Sequence, residues 1–442
     1  MILLNRRTWL AASLGLGLEL QVEAALGLGR RPFGGTLRLS LPWGVTRLDP
    51  HELDDPLGAL FAGAVFDPIF SLDARGRAYA TLAQGLPEPG ARGGCRVRLR
   101  GGLETAAGKP LLAADLKTSL ERAAKRAARA LVAPLGETRL NRADPLVLEF
   151  PGAASPQHVE RALANPACAL VPRDFTPLAP DGSGAFAARL ERGRLRLERN
   201  LNAARGPAFL DAIEITTASS LAEALRDFEA SKVDVGWLGS GLHQPRPGAV
   251  PFRAGRYGWV ILRTGKLARA WGAPGVAQLL LDGIPAERLS HLGLDNLPRQ
   301  PSEVRAWAGG PAELLVVPEA PQLALVAHSL ASLLSQPGHE LKVTELAPTE
   351  LARRRSAGDY ALIVDFVRSV GMGPALTQLA LLTAENPALA VKPPHVDHDD
   401  ARSMARQLRF GVVGELAISG SYMPAFKGLS EWQLADVVRA AE

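Results

Sequence analysis

The stretch "LDAIEITTASSLAEALRDFEASKVDVGWLG" at 210–239 constrains the fold more than any other. "LDAIEITTA" has the apolar pattern of a strand, "SLAEALRDFEAS" the pattern of a helix, and "KVDVGWLG" that of a second strand. Strand, helix and strand within about thirty residues call for a crossover unit, which belongs to the α/β class. The order recurs downstream. "AELLVVPE" predicts a strand, "PQLALVAHSLASLLSQ" a helix, "HELKVTEL" a strand, "PTELARRRSAG" a helix and "DYALIVDFV" a strand. Two α/β blocks therefore lie in one chain.

The rest fits around them. "TLRLSL" alternates as a half-buried strand does and is stopped by Pro42 and Gly44. Residues 56–66 predict a short buried helix. "IFSLDARGRAYATLAQGL" predicts a strand, a turn at 74–76 and a short helix. "GCRVRLRGG" and "PLVLEF" predict strands. The clearest helix is in "KPLLAADLKTSLERAAKRAARALVAPL", with Asp115 as its N-cap and Leu116, Leu120, Ala123, Ala124 and Ala127 on one face. Lys117, Arg122, Lys125, Arg126 and Arg129 form its other face, which is expected to be solvated. "GSGAFAARLERGRLRLERN" predicts a hairpin turning at Arg192 and Gly193. "YGWVILRTG" predicts a strand and "APGVAQLLLDGI" a helix. The Pro/Gly-rich stretch 295–312 predicts a loop, and "LSEWQLADVVRAA" a C-terminal amphipathic helix. No internal repeat is visible.

The chain has 442 residues, enough for two or three domains, and 47% hydrophobic residues, enough for a large core. Its net charge is +5, and its 50 basic residues divide into 8 Lys and 42 Arg. The arginines are scattered, with no basic block and little aromatic interleaving, so nucleic-acid binding is not expected. Cys95 and Cys168 stand in separate elements, so two buried thiols are expected before a disulfide. At the start, "NRRTWLAASLGLGLEL" sets Arg6 and Arg7 before an apolar run, the pattern of a twin-arginine export signal. Glu19 and Glu23 interrupt that run, and a cleavage site near Ala24–Ala25 is expected. Residues 1–29 are assigned to this signal, and an extracytoplasmic location follows. No later segment is long and apolar enough to cross a bilayer.

Several stretches, in order, resemble the extracytoplasmic solute-binding proteins of ABC importers, in the peptide/nickel-binding family (family 5). They are "GGTLRLSLPWGVTRLDPH", "AVFDPIFSLDARGRAYATLAQGL", "GCRVRLRGGLETAAGKPLLAADLKTSLERA", "GSGAFAARLERGRLRLERNLNAARGPAFLDAIEI" and "FEASKVDVGWL". The coverage runs from about 35 to 265, with a weaker echo to 380. The resemblance implies a two-lobe fold of the periplasmic-binding-protein class II type, with mixed sheets, a hinge and a cleft. It divides the chain into lobe 1 (34–58, 178–262 and 412–442), an extra subdomain on lobe 1 (59–177) and lobe 2 (263–411). It also implies a small-molecule or peptide ligand, an ABC permease in the membrane as partner, and a chain that acts as a monomer. A sensor that kept the lobes and lost transport is the alternative.

The same resemblance implies a cleft lined by Trp43, Gly44, Trp237, Trp259, Phe366 and Arg368. Peptide-binding members follow the late strand with a Gly-Trp pair and an aspartate that meets the peptide ammonium. Here the stretch is "DFVRSVGMGP", with Phe366 in the tryptophan position and Arg368 near the place of the acid. An arginine there favours a neutral or acidic ligand. Elsewhere "HVDHDDARS" gathers His395, Asp397, His398, Asp399 and Asp400. Neighbouring positions point in different directions, so helix capping by Asp399 or Asp400 is expected rather than a metal site. No G-x-S-x-G or phosphate-loop motif is present, and neither an enzyme nor a cofactor is expected.

Overall fold

The computed structural model describes residues 34–41, 44–52, 56–73, 77–90, 93–125, 128–152, 155–191, 194–237, 247–295, 297–318, 321–369, 374–385 and 400–439. The chain begins with strand β1 (Thr36–Leu41) and helix α1 (Pro56–Val65). The hairpin β2 (Phe70–Leu72) and β3 (Ala78–Ala80) follows. Strands β4 (Glu88–Pro89) and β5 (Cys95–Arg98) lead to helices α2 (Ala113–Ala124) and α3 (Arg129–Val132). Strands β6 (Arg139–Leu140) and β7 (Val147–Phe150) and helix α4 (Pro156–Leu163) complete this part. Then come β8 (Phe186–Glu191), β9 (Arg194–Arg199), β10 (Ala212–Thr217), helix α5 (Leu221–Glu229) and β11 (Val235–Trp237).

The second half opens with the long strand β12 (Val250–Thr264) and helix α6 (Val276–Asp282). It continues through β13 (Ala312–Val316), α7 (Pro321–Leu334), β14 (Leu341–Glu345), α8 (Pro348–Ala357) and β15 (Leu362–Arg368). Helices α9 (Pro374–Glu385) and α10 (Ala401–Ala405) precede a second long strand, β16 (Phe410–Tyr422). The short strands β17 (Phe426–Lys427) and β18 (Val438–Arg439) pair at the end.

Among the described residues, ten strands form one mixed sheet in the order β14-β13-β15-β12-β16-β11-β1-β10-β9-β8. Both crossover units of the sequence are there. β1 lies between β10 and β11 and pairs with each in parallel, so α5 crosses over it. β13 likewise pairs in parallel with β14 and β15. One end of this sheet, β11-β1-β10-β9-β8, is termed lobe 1 and the other, β14-β13-β15, lobe 2. The strands β12 and β16 lie between them. Their antiparallel register slips between Arg253 and Arg256 and again before Gly258. Gly255 sits there at φ 108°, a value that L-residues rarely adopt. This bulge, termed the crossing point, interrupts the pairing of the two central strands.

A four-stranded sheet, β4-β5-β7-β6, builds the subdomain with α2, α3 and α4. Its core holds Val97, Leu116, Leu120, Leu148, Phe150 and both cysteines, which are free and buried as expected. Burial pushes the Cys168 thiol up to about 12, so it stays protonated and inert.

Three expectations change. Asp115 is not the N-cap of α2; the cap is Leu112, and Asp115, three residues on, reaches back to the Leu112 N–H at 2.9 Å. No helix forms after β3. The N–H groups of Thr81, Leu82 and Ala83 instead converge on the Ile69 carbonyl. The C-terminal stretch is not an amphipathic helix but two short 3-10 turns and β18. Tertiary packing overrides its helical periodicity: Trp432 stacks on Phe252 at 5.9 Å and donates its indole N–H to the Leu60 carbonyl at 3.0 Å. Finally, β16 and α9 carried no expectation. The glycines of "FGVVGELAISGSY" hide a strand pattern, yet the strand needs them. A Cβ on Gly420 would lie 2.4 Å from the Gly236 carbonyl oxygen.

Candidate functional site

The lobes and the subdomain meet at the loop 44–52, which leaves the end of β1. Asp49 is fully buried there, at 0% exposure. Its carboxylate accepts two hydrogen bonds from the Arg122 guanidinium of α2, one of them 2.7 Å long. It also accepts the His51 backbone N–H at 3.0 Å. Arg122 donates to His51 Nδ1 at 2.8 Å, and His51 Nε2 faces the Ala169 carbonyl at 2.9 Å. That pattern requires a neutral imidazole with its hydrogen on Nε2. The guanidinium also covers the Phe175 ring at 4.7 Å. The basic face of α2 is therefore not solvated at Arg122. Asp115, Ser119 and Arg122 lie at i, i+4 and i+7, one polar stripe, and the stripe is sealed against 169–175 by bonds from Ser119 to Val171 and from Asp115 to Arg173. The stripe was the available signal.

Held this way, the loop turns the carbonyls of Pro50 and Glu52 toward lobe 2. Arg368, at the end of β15, donates from Nη1 to both, at 3.2 and 3.4 Å. Arg368 is only 5% exposed. Its strand neighbours divide between two faces. Phe366 shares the face of Arg368 and packs on Tyr257 with ring centroids 5.7 Å apart. Asp365, on the other face, is bound by Arg263 at 2.7 Å and Arg355 at 3.0 Å. Burial would raise the Asp365 pKa, but the two arginines outweigh it and hold the carboxyl below its ordinary value.

Beside the crossing point lies a second charged group. Arg256 donates to Thr377 Oγ1 at 2.9 Å and to Glu415 at 3.3 Å, and its guanidinium stacks on Trp259 at 4.5 Å. Burial raises the Glu415 pKa in spite of Arg256. Arg253 pairs with Asp295, and Asp295 exchanges backbone hydrogen bonds with Glu415. The Trp259 indole N–H is fully buried with no acceptor among the described residues.

Of the residues expected to line the cleft, Trp43 lies outside the described residues. Gly44 opens the loop and faces Thr217 of β10. Trp237 ends β11 opposite Gly420 of β16. Trp259 and Phe366 are core side chains rather than surface ones. Arg368, expected at the ligand, reaches the carbonyls of the loop 44–52. The sequence missed Asp49, His51 and Arg122. His395, Asp397, His398 and Asp399 lie outside the described residues, while Asp400 caps α10 through the Arg402 N–H at 3.0 Å. Among the described residues no group of His, Cys, Asp or Glu could hold a metal ion, and no helix is long and apolar enough to cross a membrane. Cavities of about 440 and 520 Å³ lie elsewhere in lobe 2, the first beside Glu313 and Tyr360 and the second beside His291 and His328.

No family model matches the sequence, and no curated protein matches it. Solved structures do. The oligopeptide-binding protein AppA from Bacillus subtilis, in complex with a nonapeptide, superposes with a TM-score of 0.70 at 12% identity, over 93% of this chain and 100% of that one. AgaA from A. tumefaciens R10, in complex with agropinic acid, gives 0.69 at 14% identity, over 92% and 99%. NikA from Staphylococcus aureus, with Ni(L-His)2, gives 0.64 at 13% identity, over 92% and 100%. The likeness thus reaches the peptide- and nickel-binding proteins that the sequence resembles, and this chain has their two-lobed solute-binding-protein fold over nearly its whole length.

Proposed function

We propose that the chain is an extracytoplasmic solute receptor that closes two lobes on a small solute, a peptide or another organic ligand, and presents it to an ABC importer. The observation that carries this reading is the crossing of β12 and β16 with its bulge at Gly255. Two lobes joined by a pair of strands can close about them and bury what lies between. In our reading the lobes divide at this crossing, Gly44 and Arg368 face the cleft, Trp259 and Phe366 support it from the core, and Trp43 and Trp237 contact the ligand. The chain acts as a monomer, exported by its twin-arginine start, with an ABC permease as partner. It performs no catalysis and needs no cofactor.

A thermal-shift panel of peptides, oligosaccharides, metal chelates and organic anions tests the reading. A ligand that binds only the folded state adds about 2.7 kcal/mol at a hundredfold excess over Kd, so one chemical class should raise the Tm clearly. A panel in which no class raises it, with calorimetry also silent, overturns the receptor reading. A second reading, a sensor without a transport role, is favoured by Arg368, which already occupies acceptors across the cleft. A sensor would bind from the panel yet leave the ATPase of a cognate importer unstimulated.

A further inference from the structure

The carbonyls of Pro50 and Glu52 belong to lobe 1, and the cation they meet belongs to lobe 2. They are not the carbonyls of a loose surface loop. Asp49 and His51 fix the loop from both sides of Pro50 through Arg122 and Ala169. The negative charge of Asp49 is thus met by a cation from the lobe 1 side of the cleft. What the loop offers to lobe 2 is a pair of prepositioned acceptors in a buried place. Two such oxygens, already turned the same way, suit N–H donors on a cation, because charge-assisted hydrogen bonds are the strong ones and a buried cation needs them.

We propose that this carbonyl pair is a cation subsite of the cleft, shaped for guanidinium or alkylammonium N–H groups, and that Arg368 is its tethered occupant. The lobes then close with no solute present. A solute with a cationic N–H head enters by displacing Arg368. This last step rests on the receptor reading, whereas closure by Arg368 does not.

The test needs no identified solute. Spin labels at Leu201→Cys and Ala352→Cys, both exposed and one in each half of the molecule, read the separation of the lobes. The native cysteines are buried and stay unlabelled. With native Arg368 and no solute, the labels should report one short distance. Arg368→Ala should lengthen it, and millimolar methylguanidinium should restore it. Tetramethylammonium, a cation without N–H groups, should need about tenfold more to act, if it acts at all. Arg368→Lys keeps an N–H cation and should stay closed. A short distance in Arg368→Ala overturns the proposal, as does an opened variant that answers both cations alike. Circular dichroism verifies the fold, and Arg368→Gln, close in shape and neutral, is read in the same way if the alanine variant does not fold. If opening and rescue are seen but no compound of the panel binds, the receptor reading fails and the subsite stands. A panel hit together with an unmoved Arg368→Ala leaves the receptor and removes the subsite.

Discussion

The subdomain and lobe 2 are both joined to lobe 1, but by different physics. In the division expected from the sequence, the chain leaves lobe 1 for the subdomain at 59 and returns at 177. Buried side chains tie these two passages. Ser183 donates to Asp67 at 2.9 Å, Asn200 to the Gly184 carbonyl at 2.8 Å, and Asp49, His51 and Arg122 form the network already described. Each of these bonds has one satisfying geometry, and loss of a partner strands a buried polar group. Lobe 2 is joined by the backbones of β12 and β16, whose register slips at the bulge, and by apolar packing that continues from Leu39 and Ile215 to Leu314 and Val326, and from Leu116 and Phe150 to Ala380 and Phe410. A directional polar joint fixes one arrangement; a bulged pair of strands permits several. The subdomain should therefore move with lobe 1 and lobe 2 should move against both.

The largest expected effect breaks the polar joint. Arg122→Ala leaves Asp49 buried and uncompensated, at a cost of about 3–5 kcal/mol. Denaturant unfolding measures it. A loss below about 1 kcal/mol would mean that the joint is held by apolar packing, and the contrast with the crossing strands would collapse.

Two glycines sharpen the contrast at smaller cost. A Cβ on Gly184 would lie 2.5 Å from the Val65 carbonyl carbon, in the return passage, where only backbone can give way. Gly184→Ala should cost about 1–3 kcal/mol and leave the separation of the lobes alone. Gly255 has open space around the added Cβ, but its φ of 108° strains any L-residue. Gly255→Ala should cost about 1–2 kcal/mol and shift the lobe separation, as the spin labels or small-angle scattering would read it. The opposite pattern would place the moving joint at the subdomain.

Acid gives the smallest and most local effect. The folded-state pKa of Asp365 lies below its ordinary 3.8 because Arg263 and Arg355 outweigh its burial. Its contribution is present above 3.8 and is lost as pH falls through the lower folded value. Glu415 at the crossing has the opposite sign. Its pKa is raised from 4.5, so its contribution is present below 4.5 and is lost as pH rises through the raised value. Stability measured from pH 6 down to pH 3 should thus fall more steeply in wild type than in Asp365→Asn. Equal slopes would show that lobe 2 does not depend on this ion pair.

Much of this fold was legible. Both crossover units, the pairing of β8 with β9, the strand ending at Arg368 and the two buried thiols follow from apolar period and turn residues. What was illegible depends on partners remote in sequence. The glycines of β16 look like breaks until the backbone of Gly236 is seen against Gly420. Trp432 looks helical until Leu60 and Phe252 are seen against it. At the site, Arg368 was expected beside the ligand, and its acceptors were not legible, because backbone carbonyls carry no residue identity. Arg122 was read from its own helix alone, where a basic face looks solvated. Its partner stands 73 residues earlier.

The position of β16 in the sheet has a consequence for how the chain becomes a protein. β16 lies between β11 and β12, and the segment after it seals α1 through Trp432. As the chain is synthesised, β1, β8, β9, β10 and β11 emerge long before residues 410–422, and β11 waits with one edge unpaired. Folding of the first lobe must therefore await nearly the last of the chain, and contacts this distant in sequence form slowly. Until then the nascent chain carries an open strand edge, the kind of surface that invites wrong pairing and that holding factors cover.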